Sequence, residues 1–154
     1  MLKHPRFMLL LVWLCLLSGA GRAQTTPADR LLLVTGDATN IETLSHADIR
    51  RLYLGNQLMM NGVRIRPVLN VSDPLMTEVF LQNIIFMSRT EYERQLLSRV
   101  FRLGGQRPPA YENMDDLVKQ LLDTPGSVTF MWATQLKQHA GLKSLGVLWA
   151  SSND

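Results

Sequence analysis

The stretch Arg64-Ile65-Arg66-Pro67-Val68-Leu69-Asn70-Val71-Ser72-Asp73-Pro74-Leu75-Met76-Thr77 decides the fold class. Residues 64–70 alternate apolar and polar side chains, the period of a strand with one wetter face. At Asp73-Pro74 the pattern changes. Proline is shaped for the first helical position, and an aspartate before it caps N–H groups that lack an intrahelical partner. Beyond it Met76, Phe80, Ile84 and Met87 recur at helical spacing, with Leu75 and Val79 beside them. A strand that turns directly into an amphipathic helix is a building unit of α/β layers.

Reading outward toward the N-terminus, Asn61-Gly62 marks a turn. Before it, Ser45 and Asp48 stand at capping-box spacing, with Leu44 and Ile49 at the staple positions. Ile49, Leu52 and Tyr53 form the apolar stripe of that helix, and Gly55 ends it. The run Leu31-Leu32-Leu33-Val34-Thr35, closed by Gly36-Asp37, suits a buried strand. Toward the C-terminus a second capping box, Ser88…Glu91, opens a helix whose apolar line is Tyr92, Leu96, Val100 and Leu103; Gly104-Gly105 stops it. Residues 106–112 form a stiff Pro-containing connection. Asn113 caps a further helix with Asp115 and Asp116 in its first turn and Leu117, Val118, Leu121 and Leu122 on its buried face. Thr124-Pro125-Gly126 breaks it, Val128–Trp132 reads as a strand, 133–140 as a short helix and Leu145–Ala150 as a last strand. The order β-α-β-α-α-α-β-α-β implies one α/β domain.

The first 23 residues read as something other than fold. Lys3 and Arg6 precede an apolar run of 11 residues, Phe7–Leu17, and then Ser18-Gly19-Ala20-Gly21-Arg22-Ala23. This is the layout of an export signal with cleavage after Ala23, and the run is too short to cross about 30 Å of hydrocarbon. Cys15 sits in mid-run behind Trp13-Leu14, without the small residues that lipidation needs. The expected mature domain is 24–154, not embedded in a membrane. It has no cysteine, so neither disulfide nor thiol chemistry is open to it. Lys3, Arg6 and Arg22 would leave with the signal, taking three of the 16 basic residues and leaving 13 against 13 acidic ones. The basic balance of the whole chain therefore belongs to its first segment, and no nucleic-acid footprint remains.

Catalytic and metal patterns are missing from the sequence. His46 and His139 show no H-x-x-x-H or H-E-x-x-H spacing, and each reads as a surface or packing histidine. Asp115-Asp116 is explained by a helix N-terminus. Neither G-x-S-x-G nor G-x-x-x-x-G-K-[ST] occurs, so no enzyme, metal or cofactor is expected. Phe130, Met131, Trp132 and Trp149 suit a core better than a pocket. Arg99, Arg102 and Arg107 could form a local basic patch, but a solvated helix face explains them better.

Four segments in order carry a resemblance. Leu44–Gly55 (LSHADIRRLYLG) resembles the "LS-x-x-x-[IL]-[RK]-x-[IL]-[FY]-x-G" helix of phosphate ABC transporter substrate-binding proteins. Ile65–Phe80 resembles that family's strand, loop and helix. Tyr92–Pro109 is similar to its aromatic-rich "F-x-G-x-G-x-P-P" region, here Phe101–Pro109, and Thr124–Val128 to its "T-P-G-[AS]-[IV]-G-[YF]" strand entry. The match spans about 31–132. It implies a periplasmic-binding-protein-like fold, a mixed sheet flanked by helices, in a short branch that keeps one lobe of the usual two. It also implies a periplasmic location and a solute-binding role.

The resemblance further implies an anion site after the second strand, where full-length relatives place a Gly- and Ser-rich loop at a helix N-terminus, with an arginine just before it. Here the arginine position falls on Val71 and the glycine positions on Pro74 and Met76, and Pro74 has no N–H to donate. Two readings stay open. In one, Asp73-Pro74 is an ordinary helix start. In the other, Asn70, Ser72 and Thr77 remain as weak contacts for phosphate or another small anion, with Arg102 nearby. The matching roles are a solute-binding-like protein, or an accessory or sensory protein that contacts a membrane sensor, transporter component or envelope partner.

Overall fold

The computed structural model describes residues 29–104 and 106–151. The expected export signal, its cleavage point after Ala23 and most of the polar lead that follows lie outside the described residues.

The chain is a mixed α/β structure. A five-stranded sheet is built from β1 (Arg30–Gly36), β2 (Leu58–Met60), β3 (Val63–Pro67), β6 (Ser127–Trp132) and β7 (Leu142–Ala150), in the order β2-β3-β6-β1-β7. A separate two-stranded ladder pairs β4 (Leu69–Asn70) with β5 (Ala110–Tyr111). The helices are α1 (His46–Tyr53), α2 (Pro74–Phe80), α3 (Arg89–Leu103), α4 (Met114–Asp123) and α5 (Ala133–Leu136). A π-helical turn, Leu81–Ile85, continues α2.

Pairing is parallel between β3 and β6 and antiparallel between β1 and both of its neighbours. In β1 every residue from Leu31 to Gly36 is buried, and in β6 every residue from Ser127 to Met131 is. Strands buried on both faces need cover on both, and the helices supply it. The centre of the core is aromatic. Phe80 of α2 stacks on Phe130 of β6 with ring centroids 3.8 Å apart, and Tyr53 of α1 meets Phe80 edge-on at 4.8 Å. The buried Tyr53 hydroxyl lies 3.1 Å from the carbonyl oxygens of both Val68 and Val128, so it spans the β3–β6 seam; Tyr92 of α3 donates to the Tyr53 carbonyl at 2.9 Å. Burial raises the pKa of both phenols well above the ordinary value.

The helix starts follow from local chemistry. The Ser45 hydroxyl accepts from Asp48 N–H, and Leu44 and Ile49 are buried on either side of the cap. Ser88 and Glu91 exchange the full reciprocal pair of a capping box, which holds the Glu91 carboxyl below its ordinary range. Asn113 accepts from Asp115 and Asp116. Gly126 carries φ +88°, and a Cβ there would lie 2.3 Å from the Arg64 carbonyl oxygen; the Thr124-Pro125-Gly126 entry therefore lets β6 close on β3.

Several elements differ from the sequence expectation. The strand expected over 64–70 is two, because Leu69 leaves the main sheet and bonds to the Pro109 carbonyl. The helix expected to run from Pro74 to Met87 turns π-helical at Leu81 and ends at Phe86 in a left-handed conformation, φ 60°. The expected helix over 133–140 is one turn, the last strand begins three residues earlier at Leu142, and the apolar line of α3 is buried only at Tyr92 and Leu96. Leu103 is exposed, as are Leu97 and Phe101.

Candidate functional site

The junction between β4 and α2 gathers three of the four anticipated site residues. Asn70 ends β4 and is fully buried; its Nδ2 donates to the Phe130 carbonyl at 3.1 Å. Its Oδ1 accepts from the Ser72 hydroxyl at 2.6 Å and from Ser72 N–H at 3.2 Å. The buried Thr77 hydroxyl lies 2.9 Å from the Asp73 carbonyl and 3.1 Å from that of Asn70. Each of these polar groups is engaged within the chain, as burial requires.

The fourth, Arg102, is exposed in the last turn of α3 and lines neither of the two cavities that flank the α3–β5 connection. The structure gives it no contact with the other three.

Asp73 dominates the junction. Its Oδ1 accepts from Leu75 N–H at 2.9 Å and from Met76 N–H at 3.2 Å, and its Oδ2 accepts from Trp132 Nε1–H at 2.9 Å. The amides at the start of α2 thus already face a carboxylate, and Pro74 contributes no donor. A second anion would have to displace that carboxylate or sit against it, and like charges at such range repel. The helix behind the amides is also short, only 7 residues before the π turn, so its dipole adds little.

Trp132 is the participant that the sequence did not reveal. It stands at the end of β6, 59 positions from Asp73, and its ring also packs at 6.3 Å on Trp149 of β7. Its strand pattern suggested only core, and no local signal marks a partner that distant. His46 is placed by a contact of 3.2 Å to the Leu148 carbonyl. Among the described residues no cluster of three His, Cys, Asp or Glu side chains could hold a metal ion.

Beside the junction lies a cavity of ≈ 710 Å³ between α2 and α3, with Thr77 and Tyr92 on its walls. Its lining carries both signs of charge, Arg89 and Arg107 together with Glu93 and Glu112. Arg89 also pairs with Glu78 at 3.5 Å.

Comparison with solved structures places this geometry. PstS from Borrelia burgdorferi superposes with a TM-score of 0.52 at 16% identity, over 77% of this chain and 47% of that one. A possible phosphate binding protein from Planctomyces limnophilus superposes at 0.55 with 13% identity, over 82% of this chain and 46% of that one. This is the fold of phosphate-binding proteins. The present chain spans less than half the length of these two relatives in fold, which fits a single lobe. No protein-family model and no curated sequence matches it. At such identities the likeness shows the phosphate-binding-protein fold alone.

Proposed function

We propose that the protein is an exported, single-lobe relative of phosphate-binding proteins that acts as a non-transport accessory or sensory component, contacting a membrane or envelope partner. In this reading residues 1–23 are a cleaved signal and 24–154 form one periplasmic domain. The observation that carries it is the Asp73 carboxylate held by three N–H donors at the start of α2. A lobe that caps its own cradle is poorly suited to capturing phosphate.

Support for a partner comes from α3. Phe101 is 80% exposed, with Leu97 one turn before it and Leu103 close by. Apolar side chains grouped on one exposed helix end are a common mark of an interaction surface. Affinity purification of the tagged protein from solubilised envelopes tests the reading. A membrane protein should co-purify with the parent and be lost with Phe101→Glu. Retention by the variant at parental level would contradict the role assigned to α3.

A second reading keeps weak binding of phosphate or another small anion at Asn70, Ser72 and Thr77, supported by the likeness to phosphate-binding folds. Under it, inorganic phosphate shifts the backbone N–H resonances of Leu75 and Met76 in a saturable way. Under the accessory reading those two resonances stay in place.

A further inference from the structure

We infer that a notch in the outer edge of the sheet is a binding site for a phosphomonoester, a doubly charged oxyanion carried on a small organic body. The inference stands independently of the accessory role proposed above and of the α2 start. The notch arises from interrupted strand pairing. Going along the chain from Val63, β2 covers the outer edge of β3 as far as Ile65, and β5 covers β4 from Leu69 onward. Between them the N–H groups of Arg66 and Val68 point inward, to the carbonyls of Gly126 and Val128. Pro67 therefore occupies the outer edge, where its missing N–H leaves no unpaired donor.

A cavity of ≈ 550 Å³ occupies this gap, roofed by the turn after α1 and by the 106–109 segment. Three arginines line it: Arg64 and Arg66 from β3, and Arg107 from the connection to β5. No acidic side chain lines it, and among the described residues no ion pair engages any of the three; Arg107 also borders the neighbouring cavity, where it donates to the Glu93 carbonyl at 3.4 Å. Arg66 spends one donor on the Pro125 carbonyl at 2.9 Å. A fourth arginine, Arg99, fixes the rim by donating to Asn56 Oδ1 at 2.6 Å.

The ligand class follows from this composition. A cleft lined by one sign of charge concentrates the field, and guanidinium forks match the oxygens of carboxylate and phosphate groups. A single carboxylate would leave most of the positive charge unanswered, whereas a phosphoryl dianion comes closer to balancing it. The volume lies in the range of sites for small organic molecules and far exceeds a bare ion. Leu52, Ile65, Pro108 and Pro109 offer the organic body an apolar wall.

Calorimetric titration with phenyl phosphate tests the site, using the full mature protein. Saturable binding is expected, tighter than that of inorganic phosphate. Arg64→Gln and Arg107→Gln should each weaken it by about tenfold, the effect of losing one charge-assisted contact. Both side chains are largely exposed, so unchanged circular dichroism and melting temperature will show that the variants are folded. A parallel arm uses phosphatidylcholine vesicles with and without phosphatidic acid. Arginine-dependent sedimentation with the acidic vesicles would identify a lipid headgroup as the source of the phosphomonoester, and soluble binding alone a free one. No saturable binding in either arm, or binding indifferent to both substitutions, would overturn the inference.

Discussion

Trp132 Nε1–H donates to Asp73 Oδ2 at 2.9 Å, joining the last residue of β6 to the residue that starts α2. The other oxygen of the same carboxylate caps α2, so one side chain ties a central strand to the helix packed over it. The start of α2 is thereby set by two structural demands.

The first prediction concerns this pair. Asp73→Ala removes a helix cap, worth about 1 kcal/mol, and leaves the indole N–H without its partner, at a cost of about 1 kcal/mol or more. Trp132→Phe keeps the aromatic packing and should cost about 1 kcal/mol. Urea denaturation of both single variants and the double variant should show the two effects to be less than additive, since they share one interaction.

Alkaline stability should report the buried phenols. Unfolded tyrosines ionise near pH 10, whereas burial holds Tyr53 and Tyr92 neutral well beyond it. Below that pH both states keep their protons and stability is unaffected. Above it the unfolded chain gives up protons that the native chain retains, so stability falls as pH rises. Tyr53→Phe should make that fall shallower by up to about 1.4 kcal/mol per pH unit, measured by denaturation at stepped alkaline pH. An unchanged slope would mean that Tyr53 is not buried as described.

The capping box of α3 gives an acid-side counterpart. Ser88 donates both its hydroxyl and its N–H to Glu91, which lowers the Glu91 pKa. Its contribution is complete above the ordinary glutamate range and is lost as pH falls through the lowered value. Ser88→Ala should destabilise by about 1 kcal/mol at neutral pH. The deficit should shrink in acid, when the carboxylate is protonated in either protein.

Gly126→Ala tests how closely β6 enters against β3. The residue has φ +88°, and the added Cβ would strike the Arg64 carbonyl oxygen. A loss of about 2 kcal/mol or more is expected from strain and displacement together. Gly62, with φ +77° but open space around it, should tolerate alanine better. Equal costs would show that backbone conformation alone is at issue.

These residues also show what a linear reading reaches. Ser45, Ser88 and Asn113 act on N–H groups within three positions of themselves, so their caps are legible from the sequence. Asp73 is legible as a cap for the same reason. Its bond to Trp132 is not, because that bond exists only after β6 has docked beside β3. Strands β2 and β5 are equally hidden: three and two residues long, they are held by partners rather than by propensity. The π turn at Leu81–Ile85 defeats a search at helical period because it inserts an extra residue into the count. Arg64, Arg66 and Arg107 gave no clustered signal, since the notch that unites them is made by strands ending.

In the reading proposed above, the Asp73 carboxylate occupies the amides at the start of α2 that would otherwise be open to an anion. Crystals of residues 24–154 grown in millimolar phosphate test it most directly, through electron density at the Leu75 and Met76 amides. The account predicts the Asp73 carboxylate there, bonded to Trp132 Nε1, with no phosphate against those N–H groups. Phosphate seated on the amides, with Asp73 swung away from Trp132, would contradict it.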